Sequence, residues 1–213
     1  MTQSDEQLVS IPVDGVELEG MLEVPVDASG VVVFAHGSGS SRKSPRNNFV
    51  ANTIRDRGLG TLLFDLLTEE EDQVRENRFD IELLTDRLIA ATDWLWERDG
   101  TRDTNVGYFG SSTGAASALR ATVRRGNDVD AVVSRGGRVD LASEVLEDVD
   151  VPTLFIVGGA DTQVLELNRD ALEQLTCRNE LHIVDGAGHL FEEEHELEEV
   201  ADVAANWFVD TLD

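Results

Sequence analysis

Lysine is nearly absent from this chain. Lys43 is the one lysine among 17 basic residues, against 43 aspartates and glutamates, and the formal net charge is −26. A surface this acidic repels phosphate backbones and anionic membranes, so neither nucleic acid nor a lipid surface is an expected partner. It also loosens the compact state by self-repulsion unless counter-ions screen it, which points to a halophilic source with a salt-rich cytoplasm. Cysteine is equally scarce. Cys177 stands alone, which excludes an internal disulfide, and it falls late in a helix expected around residues 164–176 with no catalytic signature near it. No apolar run approaches the roughly 18 residues of a membrane span. The first residues, Met-Thr-Gln-Ser-Asp-Glu, lack the basic and apolar stretches of a secretory signal, so a cytoplasmic location is expected. Repeats, low-complexity tracts and Pro/Gly/Ser linkers are missing too. One domain over residues 1–213 is therefore expected, with a sizeable core.

What the chain does have is an alternation of strand-like and helix-like segments. Residues 8–13 and 16–24 read as strands joined by Asp14-Gly15, a strong hairpin signal. Val31-Val32-Val33-Phe34-Ala35 is a continuous apolar run suited to a strand buried on both faces. Further strands are expected at 61–64, 105–109, 131–134, 153–157 and 181–184. Helices are expected near 47–57, 80–98, 112–125, from 164, and over 193–209. The highly charged stretch 69–78 reads as a solvated loop. Alternation of this kind predicts an α/β fold with a mostly parallel sheet covered on both sides, carrying an N-terminal antiparallel hairpin. Ligands then bind at the carboxyl ends of the strands.

The loops at those ends hold the chemistry. After the 105–109 strand comes Gly110-Ser111-Ser112-Thr113-Gly114, a Gly-x-Ser-x-Gly turn from strand into helix. Such a nucleophile elbow exposes a strained serine hydroxyl, here Ser112. The competing reading is a Gly/Ser turn in which Ser111 or Ser112 caps the helix. A serine needs a base to take its proton. His189 lies between the last strand and the last helix, in reach of Ser112. His182 falls within a strand, His195 opens an acidic helix, and His36 follows a buried strand. An acceptor must orient the base. Asp161, after Gly158-Gly159-Ala160, is preferred to Asp140 beside Arg138 and to Asp185 in a turn. The order Ser112, Asp161, His189 is that of α/β hydrolases. The oxyanion donors are expected to be the N–H groups of Thr113 and of Ser38, the latter in His36-Gly37-Ser38-Gly39. His36 then braces the loop. That loop lacks the Gly-Lys-Ser/Thr ending of a phosphate-binding loop, which argues against nucleotide binding. Arg42, Lys43, Arg135 and Arg138 fall on the same side of the sheet. Arg135 and Arg138 are candidate substrate-binding residues for an anionic group, with internal salt bridges as the alternative.

Four segments carry a family resemblance: Ala35-His36-Gly37-Ser38-Gly39-Ser40-Ser41, 107–116 around the elbow, Ser134-Arg135-Gly136-Gly137 and Gly186-Ala187-Gly188-His189-Leu190-Phe191. The sequence resembles the α/β-hydrolase superfamily and, within it, small dienelactone-hydrolase-like proteins. It is similar to a subgroup also found fused to phosphoribosyltransferase-like domains, a domain not expected within these residues. The resemblance implies the α/β-hydrolase fold without a large lid domain, no metal and no organic cofactor. Dienelactone hydrolases proper carry a cysteine where this elbow has Ser112, so a serine esterase acting on small carboxylic esters, as monomer or homodimer, is the expected function. A thioesterase or peptidase with the same triad, or a non-catalytic binding protein on this scaffold, are the alternatives.

Overall fold

The computed structural model describes residues 6–212, so the first residues, read above as lacking the features of a secretory signal, lie largely outside it. Eight strands form one sheet: β1 (Gln7–Val13), β2 (Val16–Glu23), β3 (Gly30–Ala35), β4 (Gly60–Phe64), β5 (Asn105–Ser111), β6 (Ala131–Arg135), β7 (Thr153–Gly158) and β8 (Asn179–Val184). Their order is β1-β2-β4-β3-β5-β6-β7-β8. The β1–β2 and β2–β4 pairs are antiparallel and the rest are parallel, as expected. Asp14 and Gly15 both adopt positive φ, which a two-residue hairpin turn demands. The central strands β3, β4 and β7 are buried at every position. That is why they read as unbroken apolar runs rather than alternating ones.

Six α-helices accompany the sheet: α1 (Pro45–Asp56), α2 (Glu69–Asp72), α3 (Ile81–Trp96), α4 (Thr113–Arg125), α5 (Thr162–Leu172) and α6 (Glu194–Leu212). The two faces of the sheet feed two apolar clusters. One joins Val33, Tyr108 and Val132 to Leu84, Leu88, Ala91 and Leu95 of α3 and to Ala116 and Leu119 of α4. The other joins Phe34, Phe109 and Val133 to Val50 and Ile54 of α1 and to Val200, Ala204 and Phe208 of α6. Successive strand residues point to opposite clusters, as the pleat requires. No helix among the described residues is long and apolar enough to cross a membrane.

Two local expectations need correction. The charged stretch 69–78 is not all loop: it holds α2 and a 3-10 turn at Asn77–Phe79. Thr68 and Glu71 form a reciprocal capping box, which satisfies the first-turn N–H groups that the acidic side chains alone would not. Cys177 lies beyond the end of α5, half-buried against the first cluster. The segment between β6 and β7 contains a kinked 3-10 helix, Val139–Asp148, that buries Val139, Ala142 and Leu146. It packs on α4 and leaves no lid domain among the described residues.

Candidate active site

Ser112 sits where β5 turns into α4, with φ 51° and ψ −117°. A non-glycine residue in that region is strained by about 1–3 kcal/mol and persists only where its surroundings hold it. Here they do. Its N–H donates to the Arg135 carbonyl at 3.1 Å, and its carbonyl accepts from Ala115 N–H at 3.2 Å and Arg138 N–H at 3.0 Å. The segment 135–138 therefore clamps the Ser112 backbone from the neighbouring strand end. Close packing completes the elbow. A Cβ on Gly114 would stand 2.1 Å from the Ala35 carbonyl oxygen, so α4 can start here only with glycine at that position.

Helix capping separates ordinary from functional residues. In α1, α2 and α3 the N-cap side chain (Ser44, Thr68, Asp80) accepts a hydrogen bond from the first turn. Ser112 and Asp161 occupy the N-cap positions of α4 and α5, yet neither side chain makes a capping bond. The capping alternative for Ser112 fails on that point. The Asp161 carboxylate turns instead to His189, with Oδ2 2.7 Å from Nδ1. Asp161 is largely buried and His189 more open, with side chains 15% and 39% exposed. The two loops are stitched together by Ala160 N–H donating to the Ala187 carbonyl at 2.9 Å. Gly158 permits this approach, since a Cβ there would lie 2.3 Å from the Ala187 oxygen. The competing acid, Asp140, is engaged elsewhere: Arg138 grips it through Nε at 2.9 Å and Nη2 at 2.8 Å. Gly136, next to the residue that holds the Ser112 N–H, packs against the His189 imidazole; a Cβ there would stand 3.4 Å from Nδ1 and Cε1. Among the described residues no direct hydrogen bond joins Ser112 to His189. Such bonds are often long before substrate binds.

The loop after β3 closes the other side. Gly37 passes over the nucleophile, its ideal Cβ position 3.1 Å from the Ser112 Cβ. Ser38 N–H donates to the Thr113 hydroxyl at 3.0 Å, so this amide already faces the elbow. The Thr113 N–H, first in α4, has no acceptor among the described residues, as befits a first-turn donor. His36 is the brace. Leu66 N–H donates to its Nε2 at 3.0 Å, so the ring proton is on Nδ1, which donates to the Gly37 carbonyl at 3.0 Å. Burial holds its pKa below the ordinary histidine value and keeps the ring neutral. His182 pairs with Glu199 at 2.7 Å, and His195 is exposed.

The basic residues divide. Arg42 bonds Glu19 and Asp65, and Arg138 bonds Asp140. Salt bridging, the alternative reading, describes these two. Arg135 has no such partner: its Nε and Nη1 are buried without one. A cleft of about 480 Å³ opens beside the oxyanion loop, lined by Glu17, Glu19, His36, Arg42, Asp65 and Glu69 among others, and none of the triad residues lines it. No cluster of metal-ligating side chains occurs among the described residues. The backbone clamp at 135–138 escaped sequence reasoning, because carbonyls and amides leave no signature in side-chain letters.

Residues 18–213 match the model of the dienelactone hydrolase family. A dienelactone hydrolase from Anabaena variabilis is 52% identical, with 99% of this chain and 100% of that one covered, and superposes with a TM-score of 0.96. Two Mycobacterium tuberculosis proteins named as phosphoribosyl transferases are 52% identical over 98% of this chain. The chain spans about half the length of these curated relatives, 47%. A carboxyl esterase of the fungus Tuber melanosporum shares the fold at 18% identity, with a TM-score of 0.77 over 100% of this chain and 89% of its own.

Proposed function

The chain belongs to the dienelactone hydrolase family, and we propose that it is a serine hydrolase cleaving small carboxylic esters through an acyl-enzyme on Ser112. The observation that carries this reading is the 2.7 Å contact between His189 Nδ1 and Asp161, on loops converging at a strained Ser112. With Nδ1–H donated to the carboxylate, Nε2 is the basic nitrogen. The Ser112 hydroxyl attacks the ester carbonyl carbon while Nε2 takes its proton. The tetrahedral intermediate places negative charge on the former carbonyl oxygen, which accepts from the N–H groups of Thr113 and Ser38. An oxyanion is a stronger acceptor than a neutral hydroxyl, so it draws the Ser38 N–H away from Thr113 Oγ1. The C–O bond to the alcohol breaks and the His189 imidazolium protonates that leaving oxygen. Water, deprotonated by His189, then attacks the acyl-serine and releases the acid.

The same machinery can act on thioesters or peptides, and the scaffold without turnover would be a binding protein. A panel of nitrophenyl esters, an acyl thioester and an anilide, assayed in molar salt, separates these. The expected result is turnover of esters, with a nitrophenol burst close to the enzyme concentration. Absence of turnover of every substrate by folded protein would overturn the proposal.

A further inference from the structure

In a chain with 43 acids and 17 bases, a buried cation without an acid beside it is unexpected. The other deeply placed arginines have one: Arg42 has Glu19 and Asp65, Arg87 has Glu71, Arg120 has Glu82 and Glu144, and Arg125 has Asp93. Arg135 does not. Its Nε and Nη1 are fully buried with no hydrogen-bond partner, and Nη2 alone keeps contact with open space. Its guanidinium carbon lies 5.9 Å from the centroid of the Phe191 ring, at the outer limit of a cation–π contact. Its one charged neighbour of consequence is another cation, Arg46, the second residue of α1; burial first and Arg46 second push its pKa down to about 10. Both groups therefore disfavour the charge, and nothing among the described residues offsets it. Burying three of its five donors with so little compensation is costly unless a ligand supplies acceptors.

The position is as telling as the charge. Arg135 ends β6, and its own carbonyl holds the Ser112 N–H. The next residue, Gly136, packs against the His189 ring, and Phe191 lies two residues beyond that histidine. Arg135 thus lies directly beside the elbow, paired with Ser111 in the sheet and one residue before the glycine that touches the His189 ring. We infer that Arg135 is the subsite for an anionic oxygen group, carboxylate or phosphate, on the ester this chain hydrolyses. This rests on the ester-hydrolase reading above and narrows its substrate class. A planar guanidinium matches two oxygens of either group. Long-range repulsion from a charge of −26 makes a buried, unpaired cation the device such a substrate requires, because buried charges are screened far less by salt than surface ones.

The test uses the full chain in molar potassium chloride and a matched pair of nitrophenyl esters, butyrate and hemiglutarate. The readout is the ratio of kcat/KM for the anionic ester to that for the neutral one. Charged hydrogen bonds of this kind support roughly a tenfold to hundredfold preference. Arg135→Gln is expected to lower the ratio at least tenfold, while Arg135→Lys retains part of it. A ratio changed less than threefold in Arg135→Gln that still melts cooperatively would overturn the subsite. Equal losses on both esters in the Lys and Gln variants would do the same, since they describe a mere brace for Phe191. Glutarate and inorganic phosphate, titrated as inhibitors of butyrate hydrolysis, separate the two anion types by which one loses potency in Arg135→Gln. Calorimetric titration of the same two anions into wild type needs no turnover. Binding that Arg135→Gln abolishes supports the subsite even if no ester is cleaved, and absence of binding by both anions contradicts it.

Discussion

Replacing Asp161 by asparagine removes one charge and keeps the side chain's shape. Asp161 sits at the start of α5 and contributes no capping bond, so the helix loses nothing by the exchange. What changes is the 2.7 Å contact with His189 Nδ1. An amide can satisfy that nitrogen only as a neutral acceptor, or it can present its own N–H and force the ring into the wrong tautomer. Either way the imidazolium formed during attack loses its counter-charge. In serine hydrolases with this arrangement the loss is about 10⁴-fold in kcat. Here His189 is 39% exposed, and water can solvate part of the imidazolium charge. A fall of roughly 10³-fold is therefore expected, about 4 kcal/mol of transition-state stabilisation. Steady-state kinetics on the best neutral ester measures it, with a thermal melt to show that the fold is intact. A kcat within tenfold of wild type in folded Asp161→Asn would refute the triad assignment.

Other perturbations have equally definite outcomes. Gly114→Ala places a methyl 2.1 Å from the Ala35 carbonyl oxygen, and backbone must shift. A destabilisation of about 3 kcal/mol or more is expected in urea titration, and a loss under 1 kcal/mol would contradict the elbow packing. His36 is held neutral by burial, so its folded pKa lies below the unfolded one. Its contribution is complete above about pH 6.5 and is lost as pH falls from there towards the folded pKa. His36→Gln can still accept from Leu66 N–H but does not titrate, so its stability should fall less between pH 7 and pH 5 than wild type's; parallel curves would contradict the brace. With a charge of −26, the urea midpoint is expected to rise between low salt and molar potassium chloride, and a flat response would dismiss the halophilic reading.

The parts of this molecule that lie in side-chain pattern were legible in the sequence. The order and spacing of Ser112, Asp161 and His189 placed each at the carboxyl end of a strand, and the fold puts Asp161 against His189 there. The apolar run of β3 announced a strand buried on both faces. What was hidden depended on partners distant in the chain or on backbone groups. The insertion of β4 between β2 and β3 cannot be read from any local pattern. Nor can the clamp on Ser112 by the Arg135 carbonyl and the Arg138 amide. Arg135 and Arg138 looked alike as letters; Arg138 meets Asp140 two residues on, and Arg135 has buried nitrogens without a partner. The short α2 is different, because Thr68 and Glu71 stand at capping-box spacing and that signal was present to be read.

The nucleophile itself is the most direct point of test. Folded protein in molar salt is treated with a fluorophosphonate, digested, and the modified peptide identified by mass spectrometry. The account predicts one adduct, on Ser112, that Ser112→Ala abolishes and that Asp161→Asn forms much more slowly. A folded protein that takes up no label, or takes it up at a residue other than Ser112, would contradict it.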